Sequence, residues 1–90
     1  MNNKNKYTSV EKCFCILSLF SKNNPNMTLN EISNKTKFNI TTTYRILQTL
    51  VQFGYISRTS DRKKYCVGAK PVYLSSLALS EHSKTRHFKS

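Results

Sequence analysis

Apolar residues recur at helical spacing in four stretches of this chain, and the stretch from Phe38 to Ile56 organises the reading of the others. At about 100° per residue, Thr43, Ile46, Leu47, Leu50 and Phe53 share one arc of roughly 120°, the width of a core-facing stripe. On the opposite side lie Thr41, Tyr44, Arg45, Gln48 and Gln52. This polar face carries a cation, a phenol and two amides but no carboxylate. A solvated helix face ordinarily mixes Glu with Lys, so the missing acids set this one apart.

The remaining pattern supplies the context. Thr8-Ser9-Val10-Glu11 has the form of a capping box, in which hydroxyl and carboxylate satisfy each other's backbone donors. It predicts a first helix whose core stripe is Val10, Cys13, Phe14, Leu17 and Phe20, with Cys15 and Leu19 on the far side beside Lys12. The turn formers Lys22 to Asn26 end it. A second box, Thr28-Leu29-Asn30-Glu31, opens a short helix to about Lys37 with Leu29, Ile32 and Thr36 inward. In the tight turn that follows, Phe38 is the apolar plug and Asn39 the N-cap of the next helix. After Gly54 stops that helix, residues 55–59 and 64–67 read as two strands around the basic loop Ser60-Asp61-Arg62-Lys63. A last helix is expected over about 70–80, with Tyr73, Leu74, Leu77 and Ala78 on one side and Val72 and Leu79 on the other.

The fold expected is mainly α with a small β-hairpin: a winged helix-turn-helix, three helices plus a wing, followed by a linker helix. Residues 1–7 form a basic arm, 8–69 the winged helix, 70–80 the linker and 81–90 a basic tail, with both ends expected to lack structure. So short a last helix cannot bury two apolar sides in one small monomer. Val72 and Leu79, with Cys15 and Leu19, are therefore the expected dimerisation surface.

Composition narrows the chemistry. Ninety residues make one domain near the lower limit for an independent core. Fifteen Lys and Arg against four Asp and Glu give a formal charge of +11, which a polyanion would offset. Nucleic acid is the favoured partner over an anionic membrane, and no segment is long enough to span a bilayer. Three cysteines, an odd number, oppose a disulfide framework; Cys13 and Cys15 point about 200° apart, and no His lies at ligand spacing to Cys66. They read as apolar fillers, which implies a reducing cytoplasm and no metal or cofactor. The run Cys13–Phe20 is too short and too poorly flanked for a secretory signal. The four carboxylates are scattered singly, with no acid–base pair or Gly-rich phosphate loop, so no enzyme is expected.

Together these residues resemble the N-terminal DNA-binding domain of the IclR family of transcriptional regulators. The likeness runs through Ser9-Val10-Glu11-Lys12 with Ile16-Leu17, Thr28 to Ser33, Thr41 to Leu47 with Leu50, Gly54-Tyr55-Ile56, and Tyr65-Cys66-Val67-Gly68, over about residues 9–79. It implies sequence-specific binding of duplex DNA, typically a palindromic operator, by a homodimer acting in transcriptional regulation. Thr41, Thr42, Tyr44 and Arg45 would be its DNA-contacting positions, joined by Gln48 from the polar face. Lys37, which with Asn39 stands where the family's turn usually carries Gly and Pro, would add a phosphate contact. Arg58, Arg62, Lys63 and Lys64 would hold the backbone or probe the minor groove from the wing. The family's effector-binding domain has no counterpart after Leu79, so no small-molecule effector is expected of these residues, whether they are a fragment, a degenerate product or a stand-alone module. A winged helix serving as a protein-interaction or RNA-binding module is the alternative.

Overall fold

The computed structural model describes the backbone of residues 7–85 and the side chains of residues 7–80; the rest of the expected arm and tail lies outside the described residues. Both capping boxes form. Thr8 Oγ1 accepts from the Glu11 N–H at 3.1 Å while the Glu11 carboxylate accepts from the Thr8 N–H at 2.9 Å, opening α1 (Ser9–Leu17). Thr28 and Glu31 repeat the exchange at 3.1 and 2.8 Å to open α2 (Leu29–Thr36). The third helix, α3 (Ile40–Gln52), starts at Asn39, whose Oδ1 accepts from the Thr41 N–H at 2.7 Å. Each cap fills donors that a helix start leaves open, so the boundaries are set locally.

The core lies where the three helices meet. Ile16, Ile32, Phe38, Ile46, Leu47 and Leu50 are buried together, with Met27, Ile56 and Tyr65 from the sheet side. Thr43 is fully buried as its place in the stripe requires, and its hydroxyl donates to the Asn39 carbonyl at 2.9 Å, so no polar atom is orphaned there. Phe53, expected in the same stripe, is 62% exposed. It stands at the C-cap, on the edge of the arc, where the chain leaves α3 through Gly54 at φ 86°.

The first helix departs further from expectation. Val10 and Phe14 are exposed at 64% and 63%, while Ile16 is fully buried. Cys13, Cys15, Leu17, Leu19 and Phe20 are partly buried against the core. Cys13, Leu17 and Phe20 thus lie inward as expected, and the buried arc is rotated so that it takes in Ile16 and leaves out Val10 and Phe14. Lys12 occupies the inward side without exposing its charge to a wholly apolar site, because its ammonium lies 5.5 Å from the centre of the Phe38 ring. The helix also ends at Leu17, and the next N–H groups bond three residues back, Leu19 to Ile16 and Phe20 to Leu17. That tightening turns Leu19 and Phe20 off the angular positions a longer helix would give them. Cys15 and Leu19, expected as free dimerisation surface, are thus half-buried on their own core.

The wing consists of β1 (Ile56–Arg58) and β2 (Tyr65–Val67), antiparallel with Ile56 opposite Val67 and Arg58 opposite Tyr65. Met27, just before α2, extends this ribbon: its N–H and C=O exchange bonds with Tyr65 at 3.0 and 2.7 Å. The final helix, α4 (Ala69–Thr85), runs past the expected end at Ser80 into the segment read as an unstructured tail. Neither of its sides is buried over residues 69–80. Val72, Tyr73, Leu74, Leu77 and Leu79 are all between 44% and 65% exposed.

Two glycines tie α4 to the wing. The Gly68 N–H donates to the Tyr55 carbonyl and the Lys70 N–H to the Gly54 carbonyl, each at 2.9 Å. A Cβ at Gly68 would sit 2.3 Å from the Gly54 oxygen, against backbone that has no freedom to yield. Gly68→Ala should therefore lower unfolding stability by about 1–3 kcal/mol, the usual range for overpacking. Urea unfolding measures this; an unchanged midpoint would mean the junction is slack.

Candidate nucleic-acid interface

The turn between α2 and α3 fixes how α3 is presented. Lys37 caps α2 in the left-handed conformation, φ 68°, the position glycine most often fills, and its N–H donates to the Ser33 carbonyl at 2.8 Å. Phe38 then turns into the core at 5% exposure, with its carbonyl accepting the Ser33 hydroxyl and its N–H reaching the Thr36 hydroxyl. Plugged by one ring and braced by these side chains, the turn holds α3 against α2. Tyr7 adds an edge-on contact to Phe38, with ring centres 6.0 Å apart. The root of the N-terminal arm thus meets the helix-turn-helix turn, which periodicity alone could not reveal.

On α3 the sequence-derived face is open. Thr41, Tyr44, Arg45, Gln48 and Gln52 are all exposed, and Thr42 is half-buried. Ile40, which the polar-face reading passed over, is 43% exposed at the first position of the helix. Its signal was an apolar residue outside the core arc, directly after the N-cap. Arg45 also borders an open groove of about 290 Å³ between α1 and α3, lined by Ser9, Val10, Cys13, Ile46 and Thr49. Arg45 itself stays exposed.

Electrostatics follow from where the acids went. No Asp or Glu occurs between Ile32 and Ser60, so α3 and its flanks are bare of negative charge. The three carboxylates among the residues with described side chains are each occupied locally. Glu11 and Glu31 serve the two capping boxes. Asp61, in the wing loop, accepts from the Thr59 hydroxyl at 2.6 Å and the Lys63 N–H at 3.0 Å. The Thr28 backbone N–H holds the Glu31 carboxyl below its ordinary range, and the Thr59 hydroxyl does the same for Asp61. Both groups therefore stay ionised and bonded to their caps above the ordinary carboxylate range, and that contribution is lost as pH falls through their lowered values.

The wing cations divide into two kinds. Arg62, Lys63 and Lys64 are exposed at the loop, as is Lys37 at the turn. Arg58, expected beside them as a free cation, is folded back. Its guanidinium lies 4.6 Å from the centre of the Tyr65 ring and donates from Nη2 to the Arg62 carbonyl. Among the described residues no group of three or more His, Cys, Asp or Glu could hold a metal ion, and no helix is long and apolar enough to cross a membrane.

These features coincide with a known design. The model of the IclR helix-turn-helix domain matches residues 9–60. No curated protein is similar enough in sequence to match. Among solved structures, the IclR transcriptional regulator from Alicyclobacillus acidocaldarius is 28% identical with a TM-score of 0.73, covering 80% of this chain and 30% of its own. The IclR of Thermotoga maritima is 26% identical with a TM-score of 0.69, over 90% of this chain and 30% of that one. A putative regulator from Silicibacter sp., at 21% identity and a TM-score of 0.80, covers 88% and 32% and speaks to fold alone. The chain spans under a third of the length of each of these proteins. The family model covers more than half of the residues, through α1, the second capping box, the plugged turn, all of α3 and the first strand of the wing: the chain belongs to the IclR helix-turn-helix family.

Proposed function

We propose that this chain binds duplex DNA sequence-specifically in transcriptional regulation, with the exposed face of α3 in the major groove. The observation that carries the reading is that face itself: exposed, free of carboxylates and presented by a braced turn. Arg45 and Gln48 have the donors and acceptors to pair bidentately with guanine and adenine edges. Thr41, Thr42 and Tyr44 supply shorter polar contacts, and Ile40 offers an apolar contact for a thymine methyl. Lys37, Arg62, Lys63 and Lys64 meet phosphates, which position the domain without reading sequence. This assignment sets the chain in the cytoplasm, with its three thiols reduced.

The functional unit in this proposal is a homodimer on a palindromic site. The apolar residues left uncovered along α4, Val72 and Leu79 among them, support it, together with exposed Val10 and Phe14 on α1. Sedimentation should show the native chain associating at micromolar concentration and Leu79→Glu shifting it to monomer. A native chain that stays monomeric at all concentrations would count against the dimer.

Neutralising about six phosphates would make the logarithm of affinity fall with that of salt at a slope near −5. Arg45→Ala should cost about 1–3 kcal/mol and relax preference at one base pair. Lys63→Ala should weaken all sequences alike and make the salt slope shallower by about 1. Quantitative gel-shift titrations in which Arg45→Ala changed neither affinity nor selectivity would refute the assignment.

A further inference from the structure

The wing loop holds a strained residue. Arg62 adopts φ 61°, the left-handed region that residues with a side chain rarely enter. It ends a turn in which its own N–H donates to the Thr59 carbonyl at 2.7 Å, and Thr59 and Lys64 close the hairpin with an N–H to carbonyl bond of 2.9 Å. Glycine is the residue that turns of this kind favour at that place. Here a bulky cation stands instead, and the bonds inside the loop, from the Thr59 hydroxyl and the Lys63 N–H to Asp61, leave the Arg62 carbonyl to a partner on the strand.

Arg58 is that partner. One β-strand pair away from the loop, opposite Tyr65, it packs its guanidinium over that ring and donates to the carbonyl of Arg62 itself. Its Nε is buried and bonds to no other group in the protein, whereas a side chain extended into water would have every donor satisfied. The inward pose is therefore held by the ring and the carbonyl against that loss. Tyr65 is in turn fixed from behind, since it is 3% exposed and pairs through its backbone with Met27.

We propose that Arg58 is a positioning residue: it clamps Arg62 in the left-handed conformation and so aims Arg62, Lys63 and Lys64 outward together, without touching phosphate itself. The proposal rests on the DNA-binding reading for its consequence, but the clamp exists in the free protein and is measurable there. A lysine at this position keeps the charge without the planar fork that stacks on a ring and bonds a carbonyl at once.

The test combines amide hydrogen exchange of the DNA-free chain with titration of a duplex selected by the native protein. Arg58→Ala and Arg58→Lys should each speed exchange at the Thr59 and Arg62 amides at least tenfold, leave the α3 amides unchanged, and weaken duplex binding to a similar extent. Arg62→Gly, which removes the need for the clamp, should restore slow exchange in the Arg58→Ala background. The proposal is overturned if wing exchange is unchanged in both Arg58 variants, or if Arg58→Lys binds duplex like the native chain while Arg58→Ala does not. The second pattern would make Arg58 an ordinary phosphate contact. A native chain that bound no duplex would defeat the DNA-binding reading, while the exchange measurements still decided the clamp.

Discussion

Positive charge that the fold does not neutralise is the constraint on which the rest of this molecule depends. Fifteen basic residues face four acids, and the three acids with described side chains are bonded to backbone N–H groups at two helix starts and in one loop. A carboxylate held in a cap is fixed in place and works locally, on the helix or turn that it closes. Among the described residues α3 carries no carboxylate, and in the wing Asp61 alone stands beside Arg62, Lys63 and Lys64.

The packing converts that surplus into direction. Phe38 plugs the turn, Lys37 takes the left-handed cap, and Asn39 starts α3 at a set point, so the buried stripe of α3 can face only one way. With Thr43, Ile46, Leu47 and Leu50 inward, Arg45 and Gln48 must point out. The wing is placed by a separate set of contacts, the Met27–Tyr65 bridge and the two glycine junctions. α3 and the basic hairpin are thus braced by different local bonds and by one shared core, in which Ile56 and Tyr65 are buried with Leu47 and Leu50. Rigid placement of this kind is what lets a few side chains carry specificity, because little ordering remains to be done on binding.

Much of this was legible in the residue order. Both capping boxes, the Phe38 plug, the Asn39 cap, the open face of α3 and the hairpin all follow from local chemistry, and local chemistry decides them. What escaped was decided by tertiary contact. On α1 the periodicity places Cys13, Leu17 and Phe20 inward, but counting apolar residues cannot show that Lys12 lies over Phe38 or that Val10 and Phe14 stay exposed. Arg58 looked like any other wing cation, since its inward turn needs Tyr65 directly across the ladder. The expected end of α4 at Ser80 rests on the polar residues that follow, and polar residues do not by themselves stop a helix, which continues to Thr85.

The claim that matters most is that the acid-free side of α3 touches base edges. Selection of bound duplexes from a random pool by the native chain tests it most directly. The account predicts that a motif emerges within a few rounds as two inverted half-sites, each a short run of base pairs of the kind one helix reads in one major groove. A pool that is retained at low salt but stays random in sequence would contradict it, reducing the chain to a basic domain that holds phosphates and reads nothing.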